Sequence, residues 1–165
     1  MKQEAQIFVS SAKDTMLIAR LIADKLARGT KIGLSGELGA GKTTFVKGFV
    51  TAFDMHEHAV TSPTFTIMNE YGVSPRIFHA DLYRIESEED LLRTGIYDVY
   101  MNDGFLLIEW PEKFKSLANY LDLSLSFHIT NRGRRIRIID KNGLLAEWIE
   151  MIKNFKRGRE YGFSS

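Results

Sequence analysis

Lys31-Ile32-Gly33-Leu34-Ser35 and then Gly36-Glu37-Leu38-Gly39-Ala40-Gly41-Lys42-Thr43 is the stretch on which the fold turns. The first five residues read as a short apolar strand. The next eight satisfy G-x-x-x-x-G-K-(S/T) without a gap. Phe45, Val46, Phe49 and Val50 follow at helical spacing, so a helix begins near Lys42. Glycines let successive amides turn inward around phosphate oxygens, where a Cβ would clash. A new helix adds unpaired N–H groups and the positive end of its dipole. Lys42 then reaches the β- and γ-phosphates, and the Thr43 hydroxyl is a magnesium ligand. A dinucleotide fingerprint fits worse, because Gly36-x-x-Gly39-x-Gly41 has the wrong spacing for G-x-G-x-x-G.

Outward from the loop, the chain alternates between strand and helix patterns. Ile7-Phe8-Val9 reads as an edge strand. Leu17, Ile18, Leu21, Ile22 and Leu26 mark one buried face of a helix over 14–28, with Ser11, Asp14 and Thr15 as cap candidates. Strands are expected over 65–71 and 76–80, joined through Gly72 and Pro75 as a hairpin. A short helix is expected from Ser87 to Arg93, and a buried central strand over 105–108. A helix should start near Glu112, after Pro111. Two late strands, 123–129 and 134–139, precede a final helix over 144–155 that carries Leu145, Trp148, Ile149 and Ile152 on one side. This order predicts an α/β three-layer sandwich, a mostly parallel or mixed sheet with helices on both faces. One domain is expected over 1–155, with a basic, frayed tail over 156–165.

Composition narrows the function classes. The chain has 165 residues, 44% of them hydrophobic, so it is neither disordered nor in need of a staple. It has no cysteine, which excludes disulfides, thiolate nucleophiles and cysteine metal sites. Lys plus Arg is 22 against 21 Asp plus Glu, and the net charge of +1 gives no global pull toward nucleic acid or anionic membrane. With no apolar run of membrane-spanning length and no leader pattern, a cytoplasmic protein is expected.

A nucleoside triphosphatase also needs an acid beside its magnesium. Phe105-Leu106-Leu107-Ile108-Glu109 is an apolar strand ending in a carboxylate, which a sheet would carry to the edge near the glycine loop. Glu109 could bind Mg²⁺ directly, bind it through water, or orient the attacking water. Asp81, after Arg76-Ile77-Phe78-His79-Ala80, is the second candidate. Ser62-Pro63-Thr64-Phe65 could bring a hydroxyl to the γ-phosphate, as a switch segment does, or form an ST-turn before a strand. Trp110 could line a pocket or fill a sheet edge. For His79 the structural role, a satisfied core histidine, is preferred to an acid.

Taken in order, Gly36–Thr44, Ser62-Pro63-Thr64-Phe65, His79-Ala80-Asp81-Leu82-Tyr83-Arg84 and Ile108-Glu109-Trp110-Pro111-Glu112 resemble the TsaE (YjeE) family of small bacterial P-loop ATPases. The resemblance runs from about Thr15 to Arg135. It implies a P-loop NTPase-like fold, ATP/ADP and Mg²⁺ as ligands, and a part in forming N6-threonylcarbamoyladenosine on tRNA. TsaD and TsaB are the implied partners, whose assembly the ATPase keeps turning over; tRNA is then met through that assembly, and low activity is expected without it. Residue by residue, the family's catalytic set falls on Lys42, Glu109, Asp81 and Thr64. Its metal ligands fall on Thr43 and Glu109. Its nucleotide-binding set falls on Gly36, Glu37, Leu38, Gly39, Ala40, Gly41, Lys42, Thr43 and Thr44, with Thr15, Trp110 and Arg134. Glu37 replaces the family's usual aspartate, and Asp98 stands where a glutamate is common. Four arginines lie in Arg132-Gly133-Arg134-Arg135-Ile136-Arg137; nucleotide or partner contact is favoured over direct tRNA readout, since no aromatic platform is interleaved. Two other classes share the loop: a small nucleoside or metabolite kinase, which needs an acceptor pocket and an arginine-bearing lid, and a nucleotide-gated binding module without hydrolysis.

Overall fold

The computed structural model describes residues 2–101 and 103–151. Its centre is a seven-stranded sheet in the order β1-β7-β6-β2-β5-β4-β3. The strands are β1 (Gln3–Val9), β2 (Lys31–Gly36), β3 (Met68–Tyr71), β4 (Ile77–Asp81), β5 (Phe105–Glu109), β6 (Leu123–Thr130) and β7 (Gly133–Asp140). β6, β2, β5 and β4 run parallel; β7 is antiparallel to both of its neighbours, β6 and β1, and β3 is antiparallel to β4. The expected mixed α/β sandwich is therefore the observed fold.

Side-chain alternation splits the core in two. Phe105 and Leu107 of β5 face one layer with Ile32, Leu34, Ile77, Phe45 and Phe49. Leu106 and Ile108 face the opposite layer with Phe78, Ala80, Leu91, Ile96 and Leu117. The first layer is closed by α1 (Ala12–Ala23) and α2 (Lys42–Val50), the second by α3 (Glu88–Arg93) and α4 (Ile96–Tyr100). Phe45, Val46, Phe49 and Val50 are fully buried, which accounts for α2 as a helix held by packing rather than by propensity.

Four local expectations are corrected. α1 starts two residues earlier than expected, because Ser11 caps it and Asp14 closes a capping box. It also stops at Ala23, where Lys25 and Leu26 donate to Ile22 and Ala23 in tighter turns that bring Leu26 into the core. The strand expected from Phe65 begins only at Met68, because the Ile67 amide bonds the Pro63 carbonyl at 2.6 Å and Ile67 sits at φ 67°. In place of a helix from Glu112 there are two short 3₁₀ turns, Pro111–Lys113 and Lys115–Asn119. Extended Phe114 separates them, and the three-residue step from Phe114 to Leu117 buries both. α4 was not anticipated; it follows Gly95, at φ 74°. The final helix is seen over 146–151, with Leu145, Trp148 and Ile149 buried as expected. Ile152, the domain boundary at 155 and the basic tail lie outside the described residues. Among the described residues no helix is long and apolar enough to cross a membrane.

Candidate functional site

The parallel strands β2, β4 and β5 end together, so Gly36, Asp81 and Glu109 emerge at one edge of the sheet. Asp81 and Glu109 are register partners on adjacent strands. Both continue the parity of Ile77, Phe105 and Leu107, so they face the layer of α2, whose first residues are Lys42 and Thr43. β7 is antiparallel to β6, and this returns Arg134 to the same edge. A cleft of about 240 Å³ opens there, lined by the glycine loop, Lys42, Thr43, Thr44, Ser62, Thr64, Asp81, Tyr83, Glu109 and Trp110.

Backbone conformation explains two of the glycines. Gly36 sits at φ 135°, and a Cβ there would lie 2.4 Å from the Phe127 carbonyl oxygen. Gly41, at φ 109°, is the N-cap of α2, and a Cβ would press within 3.4 Å of the Arg134 side chain. An L side chain at either position would be strained before any ligand arrives.

Lys42 is 4% exposed and donates to the Gly36 and Glu37 carbonyls at 2.7 and 2.9 Å. Its ammonium lies 3.9 Å from the centre of the Trp110 ring. Burial pushes its pKa below the ordinary lysine value, while Glu109 first, then Glu112, Asp81 and Glu37, pull the other way. Next to it, the Thr43 hydroxyl donates to Glu109 Oε1 at 2.7 Å. The same oxygen lies 2.9 Å from His79 Nε2. Hydroxyl and carboxylate oxygens side by side at a phosphate-shaped loop fit magnesium, which uses few protein ligands and keeps water and phosphate oxygens for the rest. Among the described residues no group of three or more His, Asp or Glu could hold a metal by itself.

Asp81 organises the other wall. Its Oδ2 accepts from Thr64 Oγ1 at 2.8 Å and Ser62 Oγ at 3.1 Å, and its Oδ1 accepts from the Tyr83 amide at 2.9 Å. The turn that displaced the expected strand at 65–67 is what carries these two hydroxyls inward. Arg134 donates to the Gly39 carbonyl at 3.3 Å, and its buried Nε has no hydrogen-bond partner.

The structure thus brings together Lys42, Thr43, Thr44, Thr64, Asp81, Glu109 and Trp110, with Arg134 against the loop from outside. Glu37 and Leu38 are exposed on the loop, and Ala40 is buried beneath it. Thr15 stands apart: it is buried in the first turn of α1, and its hydroxyl donates to the Ser11 carbonyl at 3.3 Å. Of the other arginines, Arg137 forms a two-pronged pair with Glu4, and Arg132 and Arg135 are exposed. His79 is fully buried and hydrogen-bonded, as expected for a core histidine, and its partner is Glu109; sequence reading missed Tyr71, whose hydroxyl lies 3.4 Å from His79 Nδ1. The alternation of β4 carried the signal for His79, since a polar residue two before Asp81 must face the same side.

Comparison with known proteins places the chain among relatives. A family model described as "Threonylcarbamoyl adenosine biosynthesis protein TsaE" matches residues 9–139. The chain is 35% identical over 122 residues to the tRNA threonylcarbamoyladenosine biosynthesis protein TsaE of Haemophilus influenzae, covering 73% of this chain and 77% of the relative. It is 35% identical over 138 residues to the protein of the same description from Aquifex aeolicus, covering 82% of this chain and 96% of the relative. Among solved structures, that of Bacillus subtilis YdiB superposes with a TM-score of 0.65 at 25% identity, covering 98% of this chain and 99% of the other.

Proposed function

The chain belongs to the TsaE family, and from that premise we propose that it is a cytoplasmic, magnesium-dependent ATPase that drives turnover of a TsaB–TsaD assembly forming N6-threonylcarbamoyladenosine on tRNA. The observation that carries the reading is the meeting of Thr43 Oγ1 and Glu109 Oε1 at 2.7 Å beside the buried Lys42, at the mouth of the glycine loop. The names of the relatives support the pathway, and the site supports the chemistry.

The residues divide the work as follows. Amides of the glycine loop and the start of α2 wrap the triphosphate oxygens. Lys42 exchanges the Gly36 and Glu37 carbonyls for phosphate oxygens; these carbonyls lie at a partly exposed loop where water can replace it. The Arg134 Nε, buried without a partner beside Gly41, supplies a further donor toward the loop. Thr43 and Glu109 would hold Mg²⁺, which would supply positive charge to offset the negative charge of the transferring phosphoryl group. Asp81 keeps Ser62 and Thr64 turned into the cleft, so the loop they belong to closes one wall. Trp110 and Tyr83, their rings 5.2 Å apart, form the apolar rim.

Multiple-turnover modification of tRNA tests the proposal. TsaB and TsaD would be supplied with this chain, with its Lys42→Ala variant, or with neither. Continued product formation only with the unsubstituted chain is expected. Equal yields in all three reactions would refute the role in turnover.

A further inference from the structure

The buried side of the metal-facing carboxylate is linked to the start of the Ser62–Thr64 loop by a line of side chains that the reaction as derived above does not use. His79 is fully buried on β4, so both ring nitrogens need partners inside the protein. Nε2 lies 2.9 Å from Glu109 Oε1. A carboxylate oxygen only accepts, so Nε2 is assigned the hydrogen, and in that tautomer Nδ1 accepts. The donor facing Nδ1 is the Tyr71 hydroxyl at 3.4 Å. That same hydroxyl lies 3.1 Å from the Thr61 carbonyl and receives the Asn69 amide at 3.3 Å. Burial raises the pKa of the Tyr71 phenol above its ordinary value, so it remains an O–H donor across the working range. It has one proton and two acceptors, Thr61 O and His79 Nδ1.

We propose that His79 and Tyr71 are positioning residues that fix the Glu109 carboxylate and tie its orientation to the backbone of the Ser62–Thr64 loop through Thr61. When the loop backbone sits at Tyr71, the Thr61 carbonyl competes for the tyrosine proton. When the loop moves, the proton passes wholly to His79 and strengthens its hold on Glu109. The loop is thus held to the site twice, at its front by Asp81 and at its back by Tyr71. This rests on the reading of Glu109 as a metal-holding carboxylate. A histidine that merely filled the core would affect stability and leave the metal untouched.

The test measures, by calorimetry, the Mg²⁺ concentration that half-maximally strengthens ADP binding, for His79→Leu, His79→Gln, Tyr71→Phe and Glu109→Gln. Removing a group that orients a metal ligand costs roughly 10–100-fold in metal affinity. His79→Leu should raise the Mg²⁺ requirement by about that factor. His79→Gln, whose amide can replace Nε2–H, should recover most of it. Tyr71→Phe, which deletes one hydroxyl and keeps the ring, should raise it by a smaller factor than His79→Leu. It should also speed amide hydrogen exchange over 61–67 in the ADP-bound protein. An Mg²⁺ requirement at the wild-type value in His79→Leu and Tyr71→Phe, whatever their melting temperatures, overturns the proposal while Glu109→Gln shows a shift. A shift in His79→Leu with none in Tyr71→Phe overturns the link to the loop. If His79→Leu does not fold, Tyr71→Phe decides alone. An unshifted Glu109→Gln removes the reading of Glu109 itself, and the proposal with it.

Discussion

Replacing Glu109 by glutamine keeps the shape of the side chain and deletes its charge. The amide oxygen can still accept from Thr43 and His79, the two donors that meet Oε1 at 2.7 and 2.9 Å. Both bonds become neutral ones, a loss of about 1 kcal/mol each. That loss is opposed by no longer burying a carboxylate that is only 3% exposed. Net stability should therefore change by less than about 1–2 kcal/mol, a shift of a few degrees in melting temperature for a domain this size. Turnover is a different matter. On the proposed role the charge would face the metal, and loss of one such electrostatic group costs on the order of 10²–10³ in rate. Lys42 should also respond, because Glu109 is the foremost of the four carboxylates that oppose its burial-lowered pKa. Without Glu109 the lysine proton is held less tightly, so the alkaline limb of the rate profile, where Lys42 loses its charge, should move to lower pH. Phosphate release measured across pH and Mg²⁺ concentration reads the loss of turnover and the pH shift, and a melting curve reads the stability change. Loss of hydrolysis with unchanged Mg²⁺-dependent ATP binding would assign Glu109 to orienting water. Unchanged turnover with an unchanged Mg²⁺ requirement would leave it as the end of a strand and refute the reasoning.

Thr43→Ala should weaken nucleotide binding about tenfold in magnesium and little in chelator, on the usual scale for one lost metal contact; calorimetry under both conditions checks it, and equal losses would count against a metal ligand. Lys42→Met should melt no lower than the unsubstituted protein at neutral pH, because it removes a charge whose burial is a standing cost. Between the lowered folded-state pKa and the ordinary 10.5, the unfolded chain holds a proton that the folded one has released, so wild-type stability rises with pH there and the difference between the two proteins should shrink. Melting curves at neutral and alkaline pH read the sign. Gly36→Ala combines an L side chain at φ 135° with a contact of 2.4 Å to the Phe127 carbonyl oxygen. It should cost about 2–6 kcal/mol, the sum of backbone strain and overpacking. A urea midpoint unchanged from wild type would contradict that conformation.

The glycine loop, the central strand and α2 were legible because each carries its own local reason: a gapless motif, four consecutive apolar residues, and apolar residues at helical spacing that prove fully buried. Tertiary demands account for what was misread. Ile67 takes a left-handed conformation, uncommon for a β-branched residue, and the turn it closes brings Thr64 to Asp81; no alternation of apolar residues encodes that. The 3₁₀ turns after Trp110 follow from burying Phe114 and Leu117 together, which the expected helix start near Glu112 did not foretell. Among the site residues, Lys42 and Thr43 declare themselves by motif, and Glu109 by ending an apolar strand. Tyr71 could be found only once the hairpin register set β3 beside His79, because its role is defined by neighbours distant in sequence. Thr15 shows the reverse case: a family position whose hydroxyl is engaged inside its own helix.

Phosphate release by the purified chain in Mg²⁺ and ATP, with and without TsaB and TsaD subunits and alongside Lys42→Ala, tests the central claim most directly. The account predicts slow release by the chain alone, a clear increase with the subunits, and neither in the lysine variant. Release that ignores the partners, or that survives in a folded Lys42→Ala protein, would contradict it.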